Sequence, residues 1–134
     1  MDIDIPSLIA SARSAREKAY APYSNFHVGA AVLTHDGQVF AGCNVENASY
    51  GLCNCAERTA LHSAVAAGYR PGDFTHLAVI ADTPLAVSPC GSCRQVMFEL
   101  GGPQLIVIQS NLRGDVITTT AESLLPGAFG LNKA

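Results

Sequence analysis

The stretch from His76 to Ile108 decides the architecture: His76-Leu77-Ala78-Val79-Ile80-Ala81, then Pro89-Cys90-Gly91-Ser92-Cys93-Arg94-Gln95-Val96-Met97-Phe98-Glu99-Leu100-Gly101-Gly102, then Gln104-Leu105-Ile106-Val107-Ile108. The outer pieces are apolar runs that barely alternate, the pattern of strands covered on both faces. Between them Cys93, Val96, Met97 and Leu100 recur at i, i+3, i+4 and i+7, which predicts an amphipathic helix closed by Gly101-Gly102. A strand–helix–strand order predicts parallel strands joined by a right-handed crossover.

Working outward, Ser110-Asn111-Leu112-Arg113-Gly114 is too short for a second crossover, so a strand near Val116–Thr119 should return antiparallel. Upstream, residues 55–68 place Ala56, Ala60, Ala64 and Ala67 close to one face and end at Gly68, a helix able to lie close to a sheet. Phe26, Val28, Ala30 and Val32 alternate up to Thr34, then His35-Asp36-Gly37 leads into Val39–Cys43; Asp-Gly between two such runs predicts an antiparallel hairpin. Pro6 to about Ala19 carries apolar residues at helical spacing, with Pro6 suited to a first helical turn. The expected fold is α/β: one five-stranded mixed sheet with helices on its faces.

The chain has 134 residues, which predicts a single domain over 1–134. Charged residues are only 14% against roughly 25% in ordinary soluble proteins, and hydrophobic residues reach 49%. That composition excludes a disordered chain and implies a surface partly covered by something other than water. A net charge of −3 offers no basic stripe for a phosphate backbone, so nucleic acid is not an expected partner. No run approaches the 18 or so apolar residues of a membrane span, and the first ten residues carry Asp2 and Asp4 with no basic leader. The expected location is cytoplasmic and reducing, where clustered cysteines serve more often as metal ligands or reactive thiols than as bridges.

Two segments concentrate those cysteines: Cys53-Asn54-Cys55-Ala56-Glu57-Arg58 and Pro89-Cys90-Gly91-Ser92-Cys93-Arg94. Each lies where a loop enters a helix, and the free N–H groups and positive dipole end there favour thiolate. Cys90 and Cys93 can reach one ion from a single first turn, a spacing usual for zinc. With Cys55-Ala56-Glu57 opening the other helix, the constellation is that of zinc deaminases: three protein ligands, an open fourth position, and a glutamate that moves protons without binding metal. Cys55, Cys90 and Cys93 are the expected zinc ligands and Glu57 the proton shuttle. Three thiolates and Zn²⁺ sum to about −1. Arg58 and Arg94, each beside a ligand segment, are therefore expected to donate to the thiolates and drain charge. Residues two apart do not share a helix face, so Cys55 and Glu57 converge only if Cys55 stands at the very start of its helix, with Cys53-Asn54 supplying entry and cap.

Other readings compete. Cys53 as a fourth ligand would make the zinc structural and close the open position; Cys90 and Cys93 could be a redox pair; Glu57 could be an acid that merely complements the helix dipole. Cys43 reads as a small core residue, and Cys53 has no other role.

Beyond these segments the chain carries Tyr20-Ala21-Pro22-Tyr23-Ser24-Asn25-Phe26, Val28-Gly29-Ala30-Ala31, Gly42-Cys43-Asn44-Val45-Glu46-Asn47-Ala48 and Leu124-Leu125-Pro126-Gly127-Ala128-Phe129. In combination these motifs resemble the small homotetrameric cytidine deaminases over nearly the whole chain. The resemblance implies a three-layer α/β/α sandwich and a pyrimidine nucleoside substrate. It further implies that Asn44 and Glu46 bind the ribose 3′-hydroxyl, that Phe26 packs on the pyrimidine, and that the Ala56 backbone reads the polar edge of the base. Phe129, and residues matching Ala48 and Tyr50, would reach the active site of a neighbouring subunit. The reaction implied is hydrolysis of cytidine, and of deoxycytidine, to uridine or deoxyuridine and ammonia in pyrimidine salvage. Zinc-activated hydroxide would attack C4 while Glu57 shuttles protons. Blasticidin S deaminases share the zinc and glutamate, but Asn44-Val45-Glu46 and the Pro-Gly-Ala-Phe segment favour cytidine. The rival from another class is a non-catalytic protein stabilised by zinc.

Overall fold

The structure, a computed structural model, describes residues 3–131; the expected domain over 1–134 therefore includes five residues outside the described ones. Five strands, β1 (Val28–Thr34), β2 (Val39–Cys43), β3 (Phe74–Ala81), β4 (Ile106–Asn111) and β5 (Val116–Thr120), form one mixed sheet in the order β2-β1-β3-β4-β5. The β1–β2 hairpin, the parallel β3–β4 pair and the antiparallel return of β5 are the pairings expected from sequence. The β1–β3 pairing is antiparallel and completes the sheet.

Alternation along the strands divides the core in two. Ala30, Val32, Leu77, Val79 and Val107 point to one face, under α2 (Ala56–Ala66) and α3 (Gly91–Val96), which continues as a π-helical turn through Met97–Gly101. Ala31, Ala78, Ile80 and Ile108 point to the other, under Leu8 and Ala12 of α1 (Ile5–Arg16). These are the layers of an α/β/α sandwich. The helix expected to reach Ala19 ends at Arg16, because Arg16 Nε turns to the His27 carbonyl (3.1 Å) and the chain leaves to pair Tyr20 with Val45. A short α4 (Ala121–Leu124), capped by the Thr120 side chain, follows β5 and was not expected.

Two glycines set how closely the helices approach. A Cβ on Gly29 would lie 1.9 Å from the Ala12 carbonyl oxygen, and one on Gly42 would lie 2.5 Å from Ala60 N and 2.8 Å from Ala56 O. Both neighbours are helix backbone and cannot swing aside. Gly42 thus seats the first turns of α2 directly on the sheet. Gly42→Ala is expected to destabilise the protein by about 3 kcal/mol, at the upper end of ordinary overpacking. Urea unfolding, read as a fall in the transition midpoint at unchanged slope, checks it.

Candidate metal and catalytic site

Cys55 and Cys90 occupy equivalent places: each is the N-cap residue of its helix, in extended conformation, on α2 and α3 respectively. Asn54, expected to share in the cap, instead donates to the Thr59 hydroxyl (3.2 Å). With Cys55 at the cap, its side chain lies near the helix axis, which removes the geometric objection to its meeting Glu57. The two helix starts face each other. Cys55 Sγ and Cys90 Sγ are 3.8 Å apart, and the sulfurs of Cys55, Cys90 and Cys93 all lie within 4.8 Å of one another.

That triad fits zinc on three grounds. The donors are three thiols, the softest ligand set a protein offers. A tetrahedral Zn–S bond of about 2.3 Å implies sulfurs about 3.8 Å apart, the observed Cys55–Cys90 separation. Arg58 Nη2 donates to Cys55 Sγ (3.2 Å), while its Nε is buried with no partner, so a cation is already directed at sulfurs that would carry excess negative charge. The neighbouring Cys93 thiol first, and Arg58 second, hold Cys55 down to about 5. Contact with Cys55 and burial push Cys93 up. Cys53 is not in the triad: its Sγ accepts from the Asn47 N–H (3.3 Å) and faces the Asn47 carbonyl (3.6 Å), pinning the loop before Tyr50. The four-cysteine alternative thus lacks its fourth sulfur.

Arg94 departs from expectation. Its guanidinium reaches no thiolate; Nε, Nη1 and Nη2 go to Pro89 O, Leu124 O and Ser88 Oγ. Of the two arginines, only Arg58 balances sulfur charge.

Glu57 lies in the first turn of α2, 4% exposed. Burial, with the Cys55 thiolate adding to it, pushes its carboxyl up to about 7. It lines a cavity of about 180 Å³ together with Phe26, Asn44, Ala56, Val87 and both N-cap cysteines. Asn44 and Cys55 are also walls of a second, about 290 Å³, which adds Glu46, Tyr23, Ser24 and Tyr50. The shared walls make these two chambers of one cleft, one with the Glu57 carboxyl and the Cys55 and Cys90 sulfurs, the other more polar and lined by Glu46 and Arg58. A larger hollow of about 650 Å³ lies between α1 and β2, walled mostly by small serines and alanines and by Cys43, and shares no wall with the triad of Cys55, Cys90 and Cys93.

Asn44 and Glu46 come to the cleft already engaged. Asn44 accepts from the Val28 N–H (2.8 Å) and donates to the Phe26 carbonyl (2.7 Å). Glu46 accepts from the N–H groups of Tyr23 (2.9 Å) and Ser24 (3.1 Å) and from the Ser24 hydroxyl. Tyr23 and Ser24 belong to the segment that carried the family resemblance, yet sequence reasoning gave only Phe26 of that segment a role. Ala48 sits on an exposed loop and Tyr50 opens the 3-10 turn Tyr50–Leu52 after it, 82% exposed at the cleft's edge. Phe129 is 68% exposed and lines a different hollow, beside Phe98 and Pro103.

A three-layer sandwich with a cysteine triad across two helix starts and a buried carboxyl two residues from one ligand defines the zinc-dependent deaminase class of site. The family model for the cytidine and deoxycytidylate deaminase zinc-binding region matches residues 4–109, and the chain belongs to that family. Among its relatives, the cytidine deaminase of Halalkalibacterium halodurans is 55% identical over 127 residues, 95% of each chain. That of Sporosarcina psychrophila is 53% identical, over 95% of this chain and 92% of the relative. A crystal structure of cytidine deaminase from Burkholderia pseudomallei superposes with a TM-score of 0.94 at 64% identity, over 95% of this chain and all of that one.

Proposed function

We propose that the protein hydrolyses cytidine, and deoxycytidine, to uridine or deoxyuridine and ammonia, with residues 1–134 acting as one catalytic unit. The observation that carries this reading is Glu57, a buried carboxyl held near neutrality two residues from one of three clustered cysteines and facing the same cavity. Cys55, Cys90 and Cys93 would hold zinc, which when bound supplies the Lewis acidity that makes water nucleophilic near neutral pH.

Glu57 accepts a proton from the water that adds to C4 and places it on ring N3. It then takes the proton of the new C4 hydroxyl and delivers it to the amino group, which departs as ammonia as the C4–N bond breaks and the C4 carbonyl forms. A carboxyl titrating at about 7 is suited to both directions of transfer. Phe26 offers its ring to the pyrimidine. Ala56, the first residue of α2, has an N–H without an intrahelical acceptor, free for the polar edge of the base. Asn44 keeps one amide hydrogen and Glu46 keeps free lone pairs for the ribose hydroxyls, and their bonds to the 23–28 segment hold both in place beforehand. Arg58 is the cation of the polar chamber, and its Nη2 is committed to Cys55, which favours an uncharged nucleoside over a nucleotide.

Self-association as a homotetramer belongs to this reading. It is supported by Tyr50, Leu52 (70% exposed) and Phe129, large apolar side chains left uncovered, and by the low charge content. Ala48 and Tyr50 from one neighbour and Phe129 from another would then complete each cleft. A cytoplasmic location is supported by five unbridged cysteines. Among the described residues, no helix is long and apolar enough to cross a membrane.

A spectrophotometric assay with cytidine tests the reaction. Zinc-loaded protein is expected to convert it, and chelation to stop conversion. Loaded protein inert toward both cytidine and deoxycytidine would return the site to a structural zinc.

A further inference from the structure

Four side-chain hydrogen bonds run from two consecutive residues of α3 to two other segments. Arg94 Nε donates to the Pro89 carbonyl (2.9 Å) and Nη2 to the Ser88 hydroxyl (2.7 Å), the two residues directly before Cys90. Arg94 Nη1 donates to the Leu124 carbonyl (3.0 Å), and Gln95 Nε2 to the Phe129 carbonyl (3.1 Å). Leu124 ends α4, and past it the carboxyl-terminal segment has a turn at Pro126–Gly127 but no helix or strand among the described residues. Gln95 is the side chain bonded to Phe129 itself.

We infer that Arg94 and Gln95 are positioning residues that fix the Cys90 loop and the Phe129 segment to the same turn of α3. The inference rests on the proposed reading, in which Cys90 holds zinc and Phe129 completes a neighbouring cleft. A guanidinium presents donors in a rigid planar fork, so one side chain spans Ser88, Pro89 and Leu124 at once; a lysine ammonium cannot bridge three such widely set acceptors. The helix that carries two of a subunit's own metal ligands thereby also aims that subunit's contribution to another site.

The two residues separate by readout. Arg94→Lys is expected to release zinc to a chelator about tenfold faster or more, the usual scale for a group that supports a ligand. Gln95→Leu is expected to leave zinc release and kcat at parental values and to raise KM for cytidine roughly threefold to tenfold, the worth of one hydrogen bond. The experiment measures zinc release, kcat and KM for the parent, both variants and Phe129→Ala. If Arg94→Lys proves insoluble, Arg94→Gln, which retains fewer donors, takes its place. Zinc release at the parental rate from the Arg94 variant overturns the inference. So does a parental KM for Gln95→Leu when Phe129→Ala raises KM, and that result leaves the role of Phe129 standing. A parental KM for Phe129→Ala in active enzyme means that the underlying reading has failed, and the inference falls with it.

Discussion

Glu57→Gln is expected to lower kcat by about 10⁴-fold while zinc content and fold are retained. General acid–base catalysis by one placed group contributes about 10²- to 10⁴-fold, and this carboxyl serves as base toward water and as acid toward both N3 and the leaving amine. Glutamine matches the shape but cannot exchange a proton. The same substitution should change stability in the opposite sense. In chelated protein the Glu57 carboxyl titrates at about 7 against an ordinary 4.5, so the folded state holds the proton more tightly than the unfolded chain. Its contribution is fully present below about 4.5 and is lost as pH rises through about 7. The loss amounts to about 3 kcal/mol at neutrality for so buried a group. Cys55, held down to about 5 from 9.0, has the opposite sign: its stabilisation is present above 9 and lost as pH falls through 5. The two slopes oppose each other between about pH 5 and pH 7. Denaturant unfolding of the metal-free proteins should therefore give a nearly flat profile in that window for the parent, and stability rising with pH for Glu57→Gln. A variant that deaminates at the parental rate would remove Glu57 from the mechanism.

The cysteine triad and the buried carboxyl beside it were legible because their chemistry is written in residue types at fixed spacings: two helix starts, three thiols and one acid. What was not legible depends on where a side chain finds its partner. Arg94 stands beside a ligand segment exactly as Arg58 does, and only the fold shows one guanidinium turned to sulfur and the other to Ser88, Pro89 and Leu124. Asn44 and Glu46 are two apart in the chain, but their bonds to residues 23–28 follow from the Tyr20–Val45 pairing, a contact between distant segments.

The sheet shows the same division. Apolar runs marked β3 and the hairpin, yet the strand expected over 104–108 spans Ile106–Asn111. Its end is polar, and periodicity does not count Gln109, Ser110 and Asn111 as strand. They are nonetheless buried, and two of them are held by tertiary bonds, Ser110 Oγ to Val79 O (2.8 Å) and Asn111 Nδ2 to Thr83 O (3.0 Å). Leu105, apolar and buried, lies just outside the strand, its N–H bonded to Gly102.

Removing zinc, or any one of its three ligands, should abolish deamination and lower thermal stability together. The catalytic loss follows from the pKa of water, about 15.7 free and about 7 when a zinc site activates it; no residue of the cleft replaces that difference of about nine units. The stability loss follows from mass action: an ion that binds only the folded chain stabilises it by about 4 kcal/mol at a thousand times its dissociation constant. Cys93→Ser should lose the metal most completely, since Cys93 is fully buried between the other two ligands and the Glu57 carboxyl, and a serine hydroxyl there does not ionise. Cys90→Ser acts at an exposed position that water can enter, so partial zinc content is expected. Arg58→Gln tests the charge argument from outside the coordination sphere. Without the guanidinium the site returns to a charge of about −1, and both zinc retention and kcat should fall, each by about tenfold or more. Metal analysis after dialysis against chelator, with melting temperature and kcat on the same samples, checks all three variants. If Arg58→Gln keeps parental zinc and parental kcat, the hydrogen bond to Cys55 is structural, and the cysteine triad tolerates its own charge without help.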